Sequence, residues 1–148
     1  MTDAPSPAKH CGFVTIVGAP NAGKSTLLNR LVGAKVSIVT HKVQTTRSQI
    51  RGIAVFGDTQ IVFVDTPGIF APKKRFERAM VNAAWSGAAD ADIVVVLVDG
   101  QRGIDSNVRR IADGLAASGR KAILALNKID AVKRDTLLGL ARELNAGD

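Results

Sequence analysis

The stretch FVTIVGAPNAGKSTLLNRLVG, residues 13–33, joins an apolar run to a glycine-rich turn and then to a helical pattern. FVTIV at 13–17 is short, apolar and followed by glycine, the character of a strand covered on both faces. KSTLLNRLVG then places Leu27, Leu28 and Leu31 on one helical stripe before Gly33 stops it. A strand that passes through a glycine turn into a helix begins a βα unit.

Downstream, SQIRGIAVF and QIVFVD read as two strands joined by the tight turn Gly57, Asp58, Thr59, so a hairpin with one antiparallel strand is expected. A helical stretch around 75–88, the strand IVVVLV at 93–98, a helix over 105–117, the strand KAILALN and a helix near 133–145 follow. Alternation of this kind predicts an α/β layered fold, its sheet mainly parallel with one antiparallel hairpin strand. Residues 1–10, rich in Pro, Ser and Lys and without periodicity, are expected to form a mobile tail. Residues 11–148 are expected to form one domain, because 148 residues with 46% hydrophobic positions can bury a single sizeable core.

One cysteine, Cys11, excludes an internal disulfide and sits easiest in a reducing cytosol. The first ten residues contain no apolar core of a signal peptide, and IVVVLV is far too short to span a membrane. Twenty Lys and Arg against thirteen Asp and Glu give +7, which favours an anionic partner. The positive charge gathers in HKVQTTRSQIR, in KKRFER and at Arg109 and Arg110. That distribution suits a nucleic-acid or ribosome footprint and equally a solvated basic face.

Gly18, Ala19, Pro20, Asn21, Ala22, Gly23, Lys24, Ser25 and Thr26 satisfy G-x-x-x-x-G-K-[ST] between the first strand and its helix. Glycines let the backbone wrap a phosphate without a Cβ in the way, and amides near the helix N-terminus point at the anion. Lys24 brings a point charge to the β and γ phosphates, and the Ser25 hydroxyl is a ligand for Mg²⁺.

NKID, residues 127–130, ends a later strand. Asp130 can accept from N1–H and the exocyclic amine of guanine, whereas adenine offers a lone pair at N1. Asn127 can bond the other edge of the base or tie neighbouring loops, and the aliphatic stem of Lys128 can cover the ring.

DTPGIF at 65–70 then finds a place. Asp65 ends a strand where a carboxylate can hold Mg²⁺ through its water, and Thr66, Pro67, Gly68 and Ile69 carry the backbone toward the γ-phosphate. Thr45 and Thr46 offer a second hydroxyl ligand. Segments ordered by the γ-phosphate and released on its loss make a switch.

G-x-P-N-x-G-K-S-T-L-L-N, K-V-S-I-V-T-x-K-x-Q-T-T-R and D-T-P-G-I resemble the G domain of the TrmE–Era–Der group of bacterial GTPases, over about residues 11–145. Gln44-Thr45-Thr46-Arg47-Ser48, where the other branches carry Gly-Thr-Thr-Arg-Asp, is similar to the Era branch. The resemblance implies a three-layer P-loop NTPase fold and a GTP hydrolase with Lys24, Thr46 and Gly68 in catalysis, Thr46 being the metal ligand of the threonine pair. It implies Mg²⁺ with GTP or GDP, and a potassium ion bound partly through Asn21. Ile69 stands where many GTPases have a water-orienting Gln, so slow intrinsic hydrolysis is expected. Ile69 and Phe70 then read either as a surface that changes with nucleotide state or as residues buried against the next helix.

The resemblance further implies 16S rRNA and the 30S ribosomal subunit as partners of the full-length protein. Its location would be cytoplasmic, at the ribosome or peripherally at the inner membrane, without an obligate oligomer. A further strand, a Ser-Ala loop touching the base and an RNA-binding KH domain are expected beyond the residues shown, so the chain reads as an incomplete G domain. A basic RNA-docking module with an incompetent nucleotide site is the alternative, and an ATP-using kinase is disfavoured by NKID.

Overall fold

A computed structural model of the chain describes residues 10–33, 50–66, 69 and 72–145, apart from the side chains of Ile50, Arg51 and Asp65. Thr45, Thr46, Pro67, Gly68 and Phe70 therefore lie outside the described residues.

Strand β1 (His10–Gly18) leads into helix α1 (Lys24–Val32), followed by β2 (Ile50–Phe56) and β3 (Thr59–Asp65). Helix α2 (Arg75–Asp90), β4 (Ile93–Asp99), α3 (Ser106–Ser118), β5 (Ala122–Asn127), a 3₁₀ turn (Ile129–Ala131) and α4 (Arg134–Asn145) complete the order. Each expected element is present. The hairpin turns at Gly57 and Asp58, with Gly57 at φ +57°, a left-handed conformation that costs glycine little.

The five strands lie in the order β2-β3-β1-β4-β5, with β2 antiparallel to β3 and every other pair parallel. Strand β1 is central, and the chain leaves it toward β3 on one side and β4 on the other. That reversal opens a crevice at the carboxyl ends of the strands. Gly18, Asp65, Asp99 and Asn127, each the last residue of its strand, line up along this edge.

Two apolar layers sandwich the sheet. Under α1, Leu28 packs with Ile16, Ala54, Phe63 and Leu97; on the opposite face Val81, Ala84 and Ala88 of α2 and Ile111 and Leu115 of α3 cover Val17 and Val94. The expected α1 stripe is corrected at Leu31, which is 39% exposed. Leu27 and Val32 pack beside Leu28 instead. The core-facing pair is one full turn apart, at 28 and 32, and the shorter spacing to 31 points that leucine outward.

Helices α2 and α3 meet at Trp85 and Gly114, where a Cβ on the glycine would lie 2.5 Å from the indole. The Arg120 guanidinium, just past α3, donates to the carbonyls of Ala88 and Ala91 and ties the two helix ends together. Among the described residues no helix is long and apolar enough to cross a membrane.

Candidate nucleotide-binding site

The turn between β1 and α1 is bent by two left-handed residues, Asn21 at φ +62° and Gly23 at φ +102°. Lys24 and Ser25, the first two residues of α1, are buried although one is charged and the other polar. The Lys24 ammonium folds back over the turn, donating to the carbonyls of Ala19 at 2.9 Å and Gly18 at 3.4 Å. Ala22 closes the loop by donating its N–H to the Ala19 carbonyl at 3.3 Å. A buried cation over a helix N-terminus is a preformed positive site, suited to an anion. Gly18 has no room for a side chain, because a Cβ would lie 2.7 Å from the Leu97 carbonyl of β4.

The base motif is bonded to this loop directly. The Asn127 amide donates to the Ala22 carbonyl at 2.8 Å, and the Lys128 ammonium donates to the Asn21 carbonyl at 3.2 Å. Gly23 makes room for that approach: a Cβ there would collide with the Asn127 side-chain amide. Lys128 itself is left-handed, at φ +58°, which turns the chain sharply from β5 into the 3₁₀ turn carrying Asp130. Asp130 is exposed on that turn. The residues expected to hold the phosphates and those expected to read a base thus share one crevice at the switch point of the sheet.

Thr66 and Ile69 are strapped to the end of β1, just before that loop. The Thr66 hydroxyl, fully buried, donates to the Ile16 carbonyl at 2.7 Å, and the Ile69 N–H donates to the Gly18 carbonyl at 2.9 Å. Asp65 pairs through its backbone with Ile16. Ile69 is fully buried in the α2–α3 layer with Val17, Val81 and Ile111, which settles the two readings of this residue in favour of burial. It is a core residue, so the picture of Ile69 as an exposed surface is set aside. The next helix begins with Glu77 accepting from the amides of Lys73 and Lys74 at 2.8 and 2.9 Å, bonds that hold its carboxyl below the usual range.

Sequence reasoning missed Asp99. Its side chain is only 8% exposed and forms a 2.8 Å ion pair with Lys128. The available signal was a carboxylate at the end of the wholly apolar run IVVVLV, a position that rarely tolerates charge without a partner.

The site suits a phosphate-bearing ligand on its own geometry, and Ser25 is the one expected Mg²⁺ ligand whose side chain is described. The glycines stand where side chains would block the loop, Lys24 is buried with its charge turned onto the loop, and Ser25 offers a hydroxyl at the helix start.

Residues 13–128 match the family described as 50S ribosome-binding GTPase. The chain is 59% identical to GTPase Era of Mesorhizobium japonicum, with 98% of this chain and 48% of that protein covered. It is 57% identical to GTPase Era of Caulobacter vibrioides, with 97% and 49% covered. The chain thus spans about half the length of the curated relatives it matches. Among solved structures, Era in complex with MgGDPNP and nucleotides 1506–1542 of 16S ribosomal RNA is similar at a TM-score of 0.85 and 37% identity, covering 92% of this chain and 47% of that one. Aquifex aeolicus Era bound to GDP and AlF4⁻ follows at 0.84, with the same identity and coverage. Identity of this order over nearly the whole chain, on the same fold, makes the assignment: the chain belongs to the Era family of GTPases.

Proposed function

We propose that the chain binds GTP and GDP with Mg²⁺ and hydrolyses GTP to GDP and phosphate, acting as a nucleotide-dependent switch. The observation that carries this reading is the bond from Asn127 to the Ala22 carbonyl, which joins a guanine-type base motif to a phosphate loop. In this reading the amides from Asn21 to Ser25 cradle the phosphates and Lys24 neutralises the β and γ oxygens. Ser25, Thr46 and, through water, Asp65 would hold Mg²⁺, which when bound neutralises charge on the phosphate oxygens. Thr66, Pro67, Gly68 and Ile69 bring the loop backbone to the γ-phosphate, with Gly68 supplying an amide at close approach. Asp130 selects guanine, and the Lys128 stem covers the ring.

Intrinsic hydrolysis is slow in this reading, because Ile69 occupies the position of a water-orienting side chain and is turned into the core. A potassium ion held partly through Asn21 would add the positive charge that an arginine finger supplies elsewhere. We further propose that residues 11–148 are the G domain of a protein acting in small-subunit ribosome assembly, in the cytoplasm, at the 30S subunit or peripherally at the inner membrane. The relative captured with a 16S rRNA fragment supports the RNA partner.

A second reading, a basic docking module with an idle nucleotide site, draws on the exposed run Lys73, Lys74, Arg75 and Arg78. Displacement of fluorescent GDP by GTP but not by ATP, with phosphate release that requires Mg²⁺ and quickens when K⁺ replaces Na⁺, is the expected result. Salt-sensitive RNA binding without turnover would support the docking module instead. Displacement by ATP as strong as by GTP would overturn the guanine reading.

A further inference from the structure

Asp99 belongs to neither the phosphate motif nor the base motif, yet its carboxylate sits where the two meet. It is the last residue of β4 and lies directly beside Asn127 in the register of the sheet. One carboxylate oxygen accepts from the amides of Gln101 at 2.9 Å and Arg102 at 3.4 Å, which fixes the side chain against the turn after β4. The other oxygen accepts from the Lys128 ammonium at 2.8 Å, and the same ammonium donates to the Asn21 carbonyl at 3.2 Å. The next carbonyl of the phosphate loop, that of Ala22, is held by the residue before Lys128.

Lys128 needs such a hold. Its backbone is left-handed, a conformation that L-residues with a Cβ adopt at a cost, and no regular element directs its side chain. Its tip is defined by two acceptors, one on β4 and one on the phosphate loop. A buried carboxylate, itself pinned by two amides, is a stiffer anchor than a water or an exposed acid, because its field is little screened.

We infer that Asp99 is a positioning residue for guanine-nucleotide binding: by holding the Lys128 ammonium on the Asn21 carbonyl, it fixes the Lys128 stem as a wall of the base site and couples that wall to the phosphate loop. The inference rests on the guanine-nucleotide reading above. Asn at position 99 would keep the shape but lose the charge, and its amide would present donors to a donor. The stem of Lys128 would then swing away from the base while the glycine loop kept its own geometry.

The test is a double-mutant cycle on the 148-residue chain, read as dissociation of fluorescent GDP, with Asp99→Asn, Lys128→Met and the double variant. Asp99→Asn is expected to speed GDP release by about tenfold, and the double variant to release no faster than the quicker single variant, as one interaction removed from both ends requires. Affinity for inorganic pyrophosphate, which reports the phosphate loop without a base, is expected to change by less than about threefold. Should Asp99→Asn fail to fold, Asp99→Glu, which keeps the charge but displaces it by a methylene, takes its place in the same cycle. Additive losses, or a pyrophosphate affinity that falls in step with that for GDP, would overturn the inference by showing a merely structural role. Unchanged GDP release would overturn it too. A wild-type chain that does not bind GDP would overturn both this inference and the nucleotide reading, whereas the other outcomes leave the latter standing.

Discussion

The side-chain amide of Asn127 lies 2.8 Å from the carbonyl of Ala22, across 105 positions of sequence, and Gly23 is the residue that lets it in. Gly23→Ala would require both a left-handed alanine at φ +102° and displacement of the Asn127 amide. The two costs together, of the order of 2 to 4 kcal/mol, should weaken GDP binding by at least about tenfold. Asn127→Ala removes the bond without the collision and should cost less, about 1 kcal/mol. Calorimetric affinities in the reverse order would show that the collision is relieved elsewhere.

Lys24→Ala should weaken both GDP and GTP by at least about tenfold, since a charge-assisted bond to phosphate is worth about 1.5 to 3 kcal/mol. The fold should survive: the Lys24 ammonium donates to the loop carbonyls of Gly18 and Ala19, and the loop is also held by Ala22, Asn127 and Ile69. Unchanged affinity in titration calorimetry would remove the phosphate-loop assignment.

Asp130→Asn replaces an acceptor by a donor at the base edge, and xanthine carries a carbonyl where guanine has its amine. The variant should therefore shift its preference from GTP toward XTP. Because Asp130 is exposed on the 3₁₀ turn, its thermal midpoint should stay within a degree or two of wild type, as surface changes of about 0.5 kcal/mol allow. Competition between the two nucleotides for the same site measures the shift, and a persistent preference for GTP would mean that another group reads the base.

The Asp99–Lys128 pair makes stability depend on pH in a defined direction. Burial pushes the Asp99 carboxyl up, but the bonds from Lys128 and from the amides of Gln101 and Arg102 outweigh it and hold it below its ordinary value. A folded value below the unfolded one means that the stabilisation is complete above the unfolded pKa of about 3.9 and is lost as pH falls through the folded value. Lys128→Met should thus destabilise the chain near neutral pH, by about 1 kcal/mol given that the lysine is 39% exposed, and the deficit should shrink in acid. Unfolding curves at pH 7 and at about pH 2.5, below the unfolded pKa, check this for both proteins; a deficit that grows on acidification would contradict it.

Thr66→Val keeps the shape of a fully buried side chain and deletes its 2.7 Å bond to the Ile16 carbonyl. Loss of one buried hydrogen bond costs about 0.5 to 1.5 kcal/mol, so the midpoint of thermal unfolding should drop by a few degrees. An unchanged midpoint in a melting curve would mean that the Ile16 carbonyl has found another donor.

Local pattern determined a great deal by itself. FVTIV, the glycine turn and KSTLLNRLVG announce a βα unit because period, glycine and helix stop all act within a few residues of one another. The Gly57 hairpin was legible for the same reason, as were the alternating strands and helices and the two motifs at 18–26 and 127–130. What only the tertiary structure decided are contacts between residues far apart in sequence. The order β2-β3-β1-β4-β5 sets Asp99 beside Asn127, and that register hands Lys128 to a carboxylate no motif contains. Ile69 looked like an oddly apolar loop residue until α2 and α3 closed over it, and Leu31 looked like core until α1 turned its Leu28 and Val32 face to the sheet. In each case the deciding quantity is which side of a packed layer a residue occupies. Periodicity within one element states that a face is apolar; only the neighbouring elements, through the volume they fill and the polar groups they leave to be satisfied, settle where that face ends.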